Sequence, residues 1–585
     1  MAVWYFSRSH SVKSETFDFT EDIRTFIRVF LSFAYATREQ MGYDPTVHRI
    51  KEEGESRYVY EIPTENGIRY FKAIDSLAHP RVLCITGRKT RVWKAIEVKG
   101  FEGNAVKEEL NGGKEVALKD VWLDDGSTTE KQKLDAILER LKTIKEEAYE
   151  WAPLSLRSKL KADFEDGSYR SYFMEIGCDS FNLGRSKPTS DKATPAPELL
   201  QFSGKGVEAP AGSDSEREES VEDPNLLDGS TQTTGYSRIT QDDLQEKSLM
   251  NTNLVDKTRS YTVKRQYRLV YNEVGESLER VQTLDTAFTA LMDAYIALVL
   301  MYLAGWMHRD VSAGNIIAVK RPGGKSGGRI SDLEYAKHYR DESASLDPKT
   351  GTPFFMPLEI HTGIPFNHTR ITPDSFEIDP FNNLPPADHN FPRQTGPTLP
   401  PPQRAKHRFQ HDLESLWWVA LYILIYRVAH RPGKKLSGNI FTRSRVPTGA
   451  RRQLFEGGKG GIAWALWKHL HSALQLDSIV NAMSTIPPIL RDSYLMGEPV
   501  DPEALGELYS NIFRYLGLLF VTIKTKVQDI ALRPKLTVKS KKRVHSMTSS
   551  KGRDGDEYEG EEEPSSDDAV PSKKKKASTH KAVRR

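Results

Sequence analysis

The chain has 585 residues and a net charge of +3, with 28% charged residues and 38% drawn from the set AVILMFWYC; domains run to roughly 100–200 residues, so several cores fit, or one large core with polar insertions. A charge this near zero gives no global field toward nucleic acid or an anionic membrane, and direct nucleic-acid binding is not expected. Two cysteines, Cys84 and Cys178, build no disulfide framework, and with no apolar run near 18 residues and no h-region in MAVWYFSRSH the expectation is an intracellular protein without a membrane span.

From Glu21 to Met41, apolar residues recur at helical spacing (Ile23, Phe26, Ile27, Val29, Phe30, Phe33), which predicts a helix. Four β-rich runs follow: RYVYEI at 57–62, RVLCI at 81–85, TRVWKAIEV at 90–98 and KEVALKDVW at 114–122. Their alternation of β-branched and aromatic residues predicts a small antiparallel sheet. Helical periodicity returns from Thr128 to Ile144, with Leu134, Ile137, Leu138 and Leu141 on one face. From about Gly184 to Asp256, Ser, Thr, Pro, Glu and Asp dominate; so little apolar surface cannot offset ordering entropy, and disorder is expected.

Order resumes with KRQYRLVYNEVG at 264–275, a strand running into a turn, then a long helix to about Gly305 and a short strand at IIAV. Across 373–406, Pro385, Pro386, Pro400, Pro401 and Pro402 exclude regular helix. HDLESLWWVALYILIYRVA is apolar nearly all round, which predicts a helix buried on every side, and further helices fill 461–526. Beyond about Lys535 come blocks of like charge (KSKKR, DGDEYEGEEEPSSDD, SKKKK), which predict a solvated tail.

Phosphoryl transfer needs a clamp on the nucleotide phosphates, ligands for Mg²⁺ and a group that orients the attacking hydroxyl. His308-Arg309-Asp310, with Asn315 five residues beyond the aspartate, matches the protein-kinase catalytic loop H-R-D-x-x-x-x-N. In that likeness Asp310 accepts or orients the hydroxyl proton, and Asn315 binds Mg²⁺ through its amide oxygen. Asp332 in RISDLEYAK stands where such a loop is followed by the main Mg²⁺ ligand. GTPFFMPLE, ending in Glu359, is similar to the end of an activation segment. Asp412 opens the buried helix, as does the aspartate that holds a catalytic loop by its backbone amides.

Upstream, VALKD matches the strand whose lysine, here Lys119, reaches the α- and β-phosphates. ITGRKTRVWKA at 85–95 corresponds to the loop over the phosphates, with Gly87 alone left of three glycines. Tyr271 falls near the back of the adenine pocket, and Asn272, Glu273 and Val274 are placed to bond adenine through the backbone. The partner of Lys119 is open between Glu130, Asp135 and Glu139. STTE at 127–130 reads as a capping box, so Glu130 also has a purely helix-closing reading.

Together LKDVW, LVYNEVG, HRDVSAGNI, SDLEYAK, GTPFFM and HDLESLWWV, with GYDPT at 42–46, resemble the fungal-specific protein kinase family called FunK, over roughly residues 20–530. The resemblance implies an α+β, bilobal protein-kinase-like fold: a small antiparallel β-sheet N-lobe and a helical C-lobe, with a helical N-terminal extension and disordered insertions. The expected division is an extension at 1–80, N-lobe at 81–183, insertion at 184–256, hinge and C-lobe at 257–530, and tail at 531–585. It also implies ATP and Mg²⁺ as cofactors, a protein substrate phosphorylated on Ser or Thr, and structural roles for His308 and Glu359.

Three departures lower the expected rate. Ser312 stands where a lysine contacts the γ-phosphate, Glu334 replaces a glycine that alone visits φ > 0 freely, and the phosphate loop is poor in glycine. A pseudokinase that binds nucleotide without turnover is therefore the competing reading, and a small-molecule phosphotransferase the third. Arg309 is a candidate to pair with a phosphate on Ser343, Ser345, Thr350 or Thr352. The two basic tail runs are read as nuclear import signals recognised by an import receptor, favouring the nucleus over the cytoplasm.

Overall fold

The computed structural model describes residues 1–52, 54–78, 88–103, 105–188, 262–341, 352–366, 405–442, 444, 446–495, 502–527 and 530–533. Cys84, Gly87, Ser343, Ser345, Thr350, the Pro-rich stretch up to 404 and the tail from 534 lie outside them.

The hairpin β1 (Trp4–Phe6) and β2 (Ser11–Lys13) precedes α1 (Ile23–Ala34), which is shorter than the predicted Glu21–Met41. Asp22 caps its start by accepting from Thr25 N, and Tyr35 closes it; no residue of α1 is buried. The period-two runs then build one antiparallel sheet from β3 (Val47–Glu52), β4 (Glu55–Thr64), β5 (Gly67–Ala78), β6 (Arg91–Val98), β9 (Glu115–Asp124), β10 (Ile176–Arg185) and β11 (Lys264–Tyr271), in the order β10-β11-β9-β6-β5-β4-β3. A short pair, β7 (Phe101–Glu102) and β8 (Ala105–Val106), stands beside it.

Two features of this sheet correct the expected boundaries. Tyr70 of β5 pairs with Val98 of β6, so the division at residue 80 falls inside one hydrogen-bonded sheet, and 47–78 belong to it rather than to an appended extension. The insertion expected from 184 begins within β10, which runs to Arg185 because Arg185 still pairs with Arg265.

The helices are α2 (Glu130–Leu141), α3 (Leu154–Asp166), α4 (Leu284–Leu303), α5 (Leu358–Thr362), α6 (Phe409–Tyr422), α7 (Arg431–Ile440), α8 (Gly449–Glu456), α9 (Gly458–His469), α10 (Asp477–Tyr494) and α11 (Pro502–Lys526). Helix α6 is buried along nearly its whole length, including Gln410, His411, Asp412 and Glu414, and a π-helical turn, Ile423–Arg427, continues it. Helix α4 corrects the expectation that nothing here approaches a spanning length. It is long and apolar enough to cross a membrane, since Asp285 and Asp293 are its only charges, but 67% of its apolar window is buried against the protein. Gly328 explains how closely it is covered: a Cβ there would lie 2.4 Å from Ala290 O.

Beside α4, β12 (Glu276–Ser277), β14 (Ile316–Lys320) and β15 (Ser326–Ile330) form a three-stranded sheet, and β13 (Trp306–Met307) pairs with β16 (Lys337–His338). The loops at the ends of these strands carry the polar residues of the catalytic motif. The main apolar core lies among α4, α6, α10 and α11, with smaller clusters within the seven-stranded sheet.

Candidate active site

Lys119 lies on β9, opposite Leu269 of β11 and Val92 of β6, so its strand is central and cannot shift. Its Nζ donates to Glu130 Oε2 at 2.7 Å and to Asp332 Oδ1 at 2.8 Å, with only 3% of the side chain exposed. Burial opposes its charge, but Asp332 and Glu130 outweigh burial and hold its pKa well above that of an ordinary lysine. The partner left open by the sequence is thus Glu130; Asp135 and Glu139 are 54% and 67% exposed and pair with Lys131 and Lys142 instead. The capping box is also displaced from the expected one. Thr129 and Gln132 form it, which leaves Glu130, the first residue of α2, to turn inward.

Glu130 is held on its other oxygen. Tyr271 donates its hydroxyl to Oε1, and Leu333 N approaches the same atom at 3.3 Å. Tyr271 ends β11, and Asn272, Glu273 and Val274 follow. Asn272 N donates to Glu175 O at 3.0 Å, and the Glu273 side chain pairs with Arg329.

The loop that carries His308, Arg309 and Asp310 is fixed from below. Asp412 Oδ2 and Oδ1 accept the backbone N–H groups of His308 and Arg309 at 2.7 and 2.8 Å, and the His308 ring Nε2 meets Ser331 O at 3.1 Å. Arg309 takes φ +69°, the left-handed region that non-glycine residues rarely enter. Its guanidinium is buried, with Nη1 3.5 Å from Tyr335 O. Asn315 Nδ2 donates to Asp310 O at 2.9 Å and Asp310 Oδ2 at 3.2 Å. Burial, with Asp332 adding to it, pushes the Asp310 carboxyl up to about 7.

Asp332 also sits at positive φ, +63°, and directly precedes the short turn Leu333–Tyr335. Burial alone would raise its pKa, yet Lys119 overrides this and leaves it below the ordinary carboxylate value. Beyond it, Glu334 Oε2 lies 4.0 Å from Lys119, and Lys133 donates to Glu334 O. Burial draws Lys133 down to about 8.

Where the activation-segment motif re-enters the described residues, Thr352 donates to Asp310 Oδ1 from N at 3.0 Å and from Oγ1 at 3.3 Å. A phosphate on Thr352 would set a dianion against this carboxylate. Arg451 of α8 then ties the segment down, donating to Phe354 O at 2.5 Å and Met356 O at 2.8 Å while stacking on Trp418 at 4.1 Å. Glu359 accepts from His411 Nε2 at 2.8 Å, Arg408 Nη2 at 2.9 Å and Phe366 N at 2.6 Å.

A family model described as fungal protein kinase matches residues 1–424, from the first hairpin into the π-turn after α6. The chain belongs to the fungal protein kinase family. No curated protein matches it.

This family's chemistry uses ATP and Mg²⁺, and the donor set fits. Because Asn315 spends its Nδ2 on Asp310, its Oδ1 is the atom turned away from that carboxylate. Asp332 spends Oδ1 on Lys119 and has a quarter of its side chain exposed, so Oδ2 is the oxygen that remains. One amide and one carboxylate oxygen are what Mg²⁺ takes from protein when nucleotide phosphates supply the rest. Among the described residues there is no cluster of three or more His, Cys, Asp or Glu that would hold a metal unaided.

Five contributors carried no sequence signal: the Tyr271 hydroxyl, Lys133, Arg88, Thr352 as a donor and Arg451. Of these, Arg88 alone is marked by its position, since ITGRKT places it immediately after the sole glycine of the phosphate loop.

Proposed function

We propose that this fungal protein kinase is an active, ATP- and Mg²⁺-dependent enzyme that transfers the γ-phosphoryl group to Ser or Thr hydroxyls of protein substrates. The sheet bearing Lys119 and the helices around Asp310 are read as two lobes enclosing the nucleotide. The observation that carries the proposal is the junction at Lys119 Nζ, bonded at once to Glu130 and Asp332. It joins the sheet, α2 and the metal loop into one arrangement, the alignment that phosphoryl transfer demands.

In this reading Lys119 orients the α- and β-phosphates, and the Asn272 carbonyl with the Val274 N–H meets the adenine edge. Asn315 Oδ1 and Asp332 Oδ2 hold Mg²⁺, which neutralises phosphate charge when bound. Asp310 takes the hydroxyl hydrogen bond and then its proton; a carboxyl near pKa 7 is matched to that task. An aliphatic hydroxyl, that of Thr352, already lies 3.3 Å from Asp310 Oδ1, which supports Ser/Thr rather than the longer Tyr.

The test is transfer of radiolabelled phosphate to protein by wild type and by Asp310→Ala and Asp332→Ala. Label from wild type alone is expected; equal label from all three sinks the proposal.

One observation favours a pseudokinase as the second reading. Glu334 stands 4.0 Å from Lys119 in a site where that lysine already has two carboxylate partners. Thermal stabilisation by Mg-ATP without transfer to any protein in an extract is the outcome it requires. We further propose nuclear import through the basic runs of the tail, supported by their composition; a reporter fused to residues 535–585 that stays cytoplasmic overturns this.

A further inference from the structure

Glu334 is the unusual residue of the metal loop, and Arg88 is its counterpart. Arg88 leads into β6 directly after the segment that joins β5 to β6, and its carbonyl is pinned by Trp122 N at 2.9 Å. From there its guanidinium reaches the turn that follows Asp332. It lies over the Tyr335 ring at 4.0 Å and brings Nη1 to 2.9 Å from Glu334 Oε1.

The contact is an ion pair with poor geometry. Among the described residues neither Arg88 Nη1 nor Glu334 Oε1 gains a hydrogen bond from it, although both atoms are buried. A guanidinium presents a planar fork suited to two oxygens at once, and a phosphate offers that geometry better than a misaligned single carboxylate oxygen. Arg88 is also accessible to a ligand, with 31% of its side chain exposed against 3% for Lys119.

Charge counting leads to the same residue. Lys119, Lys133 and Arg88 face Glu130, Asp332 and Glu334, and Arg309 and Asp310 stand next to them, so cations and carboxyl groups match in number. A triphosphate entering this balanced cluster adds negative charge. The catalytic loop offers it Ser312, buried and uncharged, instead of a further cation.

We propose that Arg88 is a phosphate-contacting residue of the nucleotide site, held by Glu334 while the site lacks nucleotide and transferred to the terminal phosphates of Mg-ATP on binding. This rests on the kinase reading above and adds to it the cation that replaces the missing lysine. Glu334 then acts as a positioning residue: it competes with nucleotide for Arg88 and so weakens ATP binding.

Calorimetric titration of the full chain with Mg-ATP and separately with adenosine tests this. Arg88→Ala should weaken Mg-ATP binding about tenfold or more and leave adenosine within about twofold, because adenosine has no phosphate; Arg88→Lys should fall between. Glu334→Gln should tighten Mg-ATP binding several-fold, since it releases Arg88 without removing it. Unchanged Mg-ATP affinity in Arg88→Ala overturns the proposal. So does equal weakening for adenosine, which would make Arg88 a structural brace. Should Arg88→Ala not fold, unchanged or weaker Mg-ATP binding by Glu334→Gln overturns it instead. A wild type that transfers phosphate while Arg88→Ala matches it defeats this inference alone. A wild type that binds neither ligand defeats the kinase reading as well.

Discussion

The Tyr271 hydroxyl donates to Glu130 Oε1, so the end of β11 holds the same carboxylate that takes Lys119 on its other oxygen. Burial, reinforced by Glu130, raises the Tyr271 pKa far above its ordinary value, so the group remains a donor throughout the working range. Tyr271→Phe keeps the ring and removes this one bond. A buried hydrogen bond to a charged group contributes about 1.5–3 kcal/mol, and a loss of about 2 kcal/mol in urea unfolding is expected. Initial rates should fall by about tenfold as Glu130 loses its orientation. Unchanged stability together with unchanged rate would refute the role.

The catalytic motifs were legible because each is short and contiguous. His308, Asp310 and Asn315 share one loop, and Asp332 and Asp412 announce themselves by spacing and by the apolar helix that follows. The electrostatic partners were not, because they converge from far along the chain: Lys119 and Asp332 are 213 residues apart, Tyr271 and Glu130 141. Periodicity likewise missed β5, whose GIRYFKAIDSLA interleaves Arg69 and Lys72 with apolar residues because those charges reach partners on other strands; Arg69 bonds Glu97 at 2.6 Å and Lys72 bonds Glu52 at 3.0 Å. Glu130 was readable as a candidate, but only burial separates it from Asp135 and Glu139.

The pH dependence follows from Asp310. Its carboxyl, pushed up to about 7 by burial and by Asp332, must lose its proton to act as base, so without other changes the rate rises through about pH 7. The stability effect has the opposite sign. A carboxyl whose folded pKa lies above the unfolded value of about 3.9 favours folding fully below that value, and this contribution is lost as pH climbs toward 7. Asp310→Asn should therefore raise the melting temperature most at pH 8, where the wild type holds a buried charge, and clearly less at pH 5. Differential scanning at the two pH values without nucleotide decides the matter; an equal shift at both contradicts it.

Thr352 reaches the same carboxylate through both its N–H and its hydroxyl. Thr352→Ser retains both donors and should keep most of the rate. Thr352→Val keeps the shape and the backbone bond, and should lower kcat by about tenfold while leaving the protein folded. Thr352→Glu places a second carboxylate against Asp310 and should abolish transfer. If Thr352→Glu were instead the more active form in a peptide phosphorylation assay, the hydroxyl would be acting as a modification site after all.

Asp412 provides the last prediction, because it supports backbone rather than side chains. Its two oxygens satisfy the N–H groups of His308 and Arg309, and Arg309 holds a left-handed conformation unfavourable for a residue with a Cβ. Burial raises the Asp412 pKa, and those backbone bonds, with His308, act against it. Asp412→Ala orphans two buried donors at about 1–3 kcal/mol each, so a loss of about 3 kcal/mol or more is expected in urea unfolding. Asp412→Asn retains one acceptor and turns an NH₂ toward an N–H, and should fall between wild type and alanine. Arg309→Gly, introduced into Asp412→Ala, removes the Cβ penalty and should recover part of the stability. It should not recover transfer, since Asp310 follows directly and loses its placement with the loop. If Asp412→Ala unfolds at the wild-type urea concentration, the loop must be held by its own geometry, and Asp412 has no anchoring role.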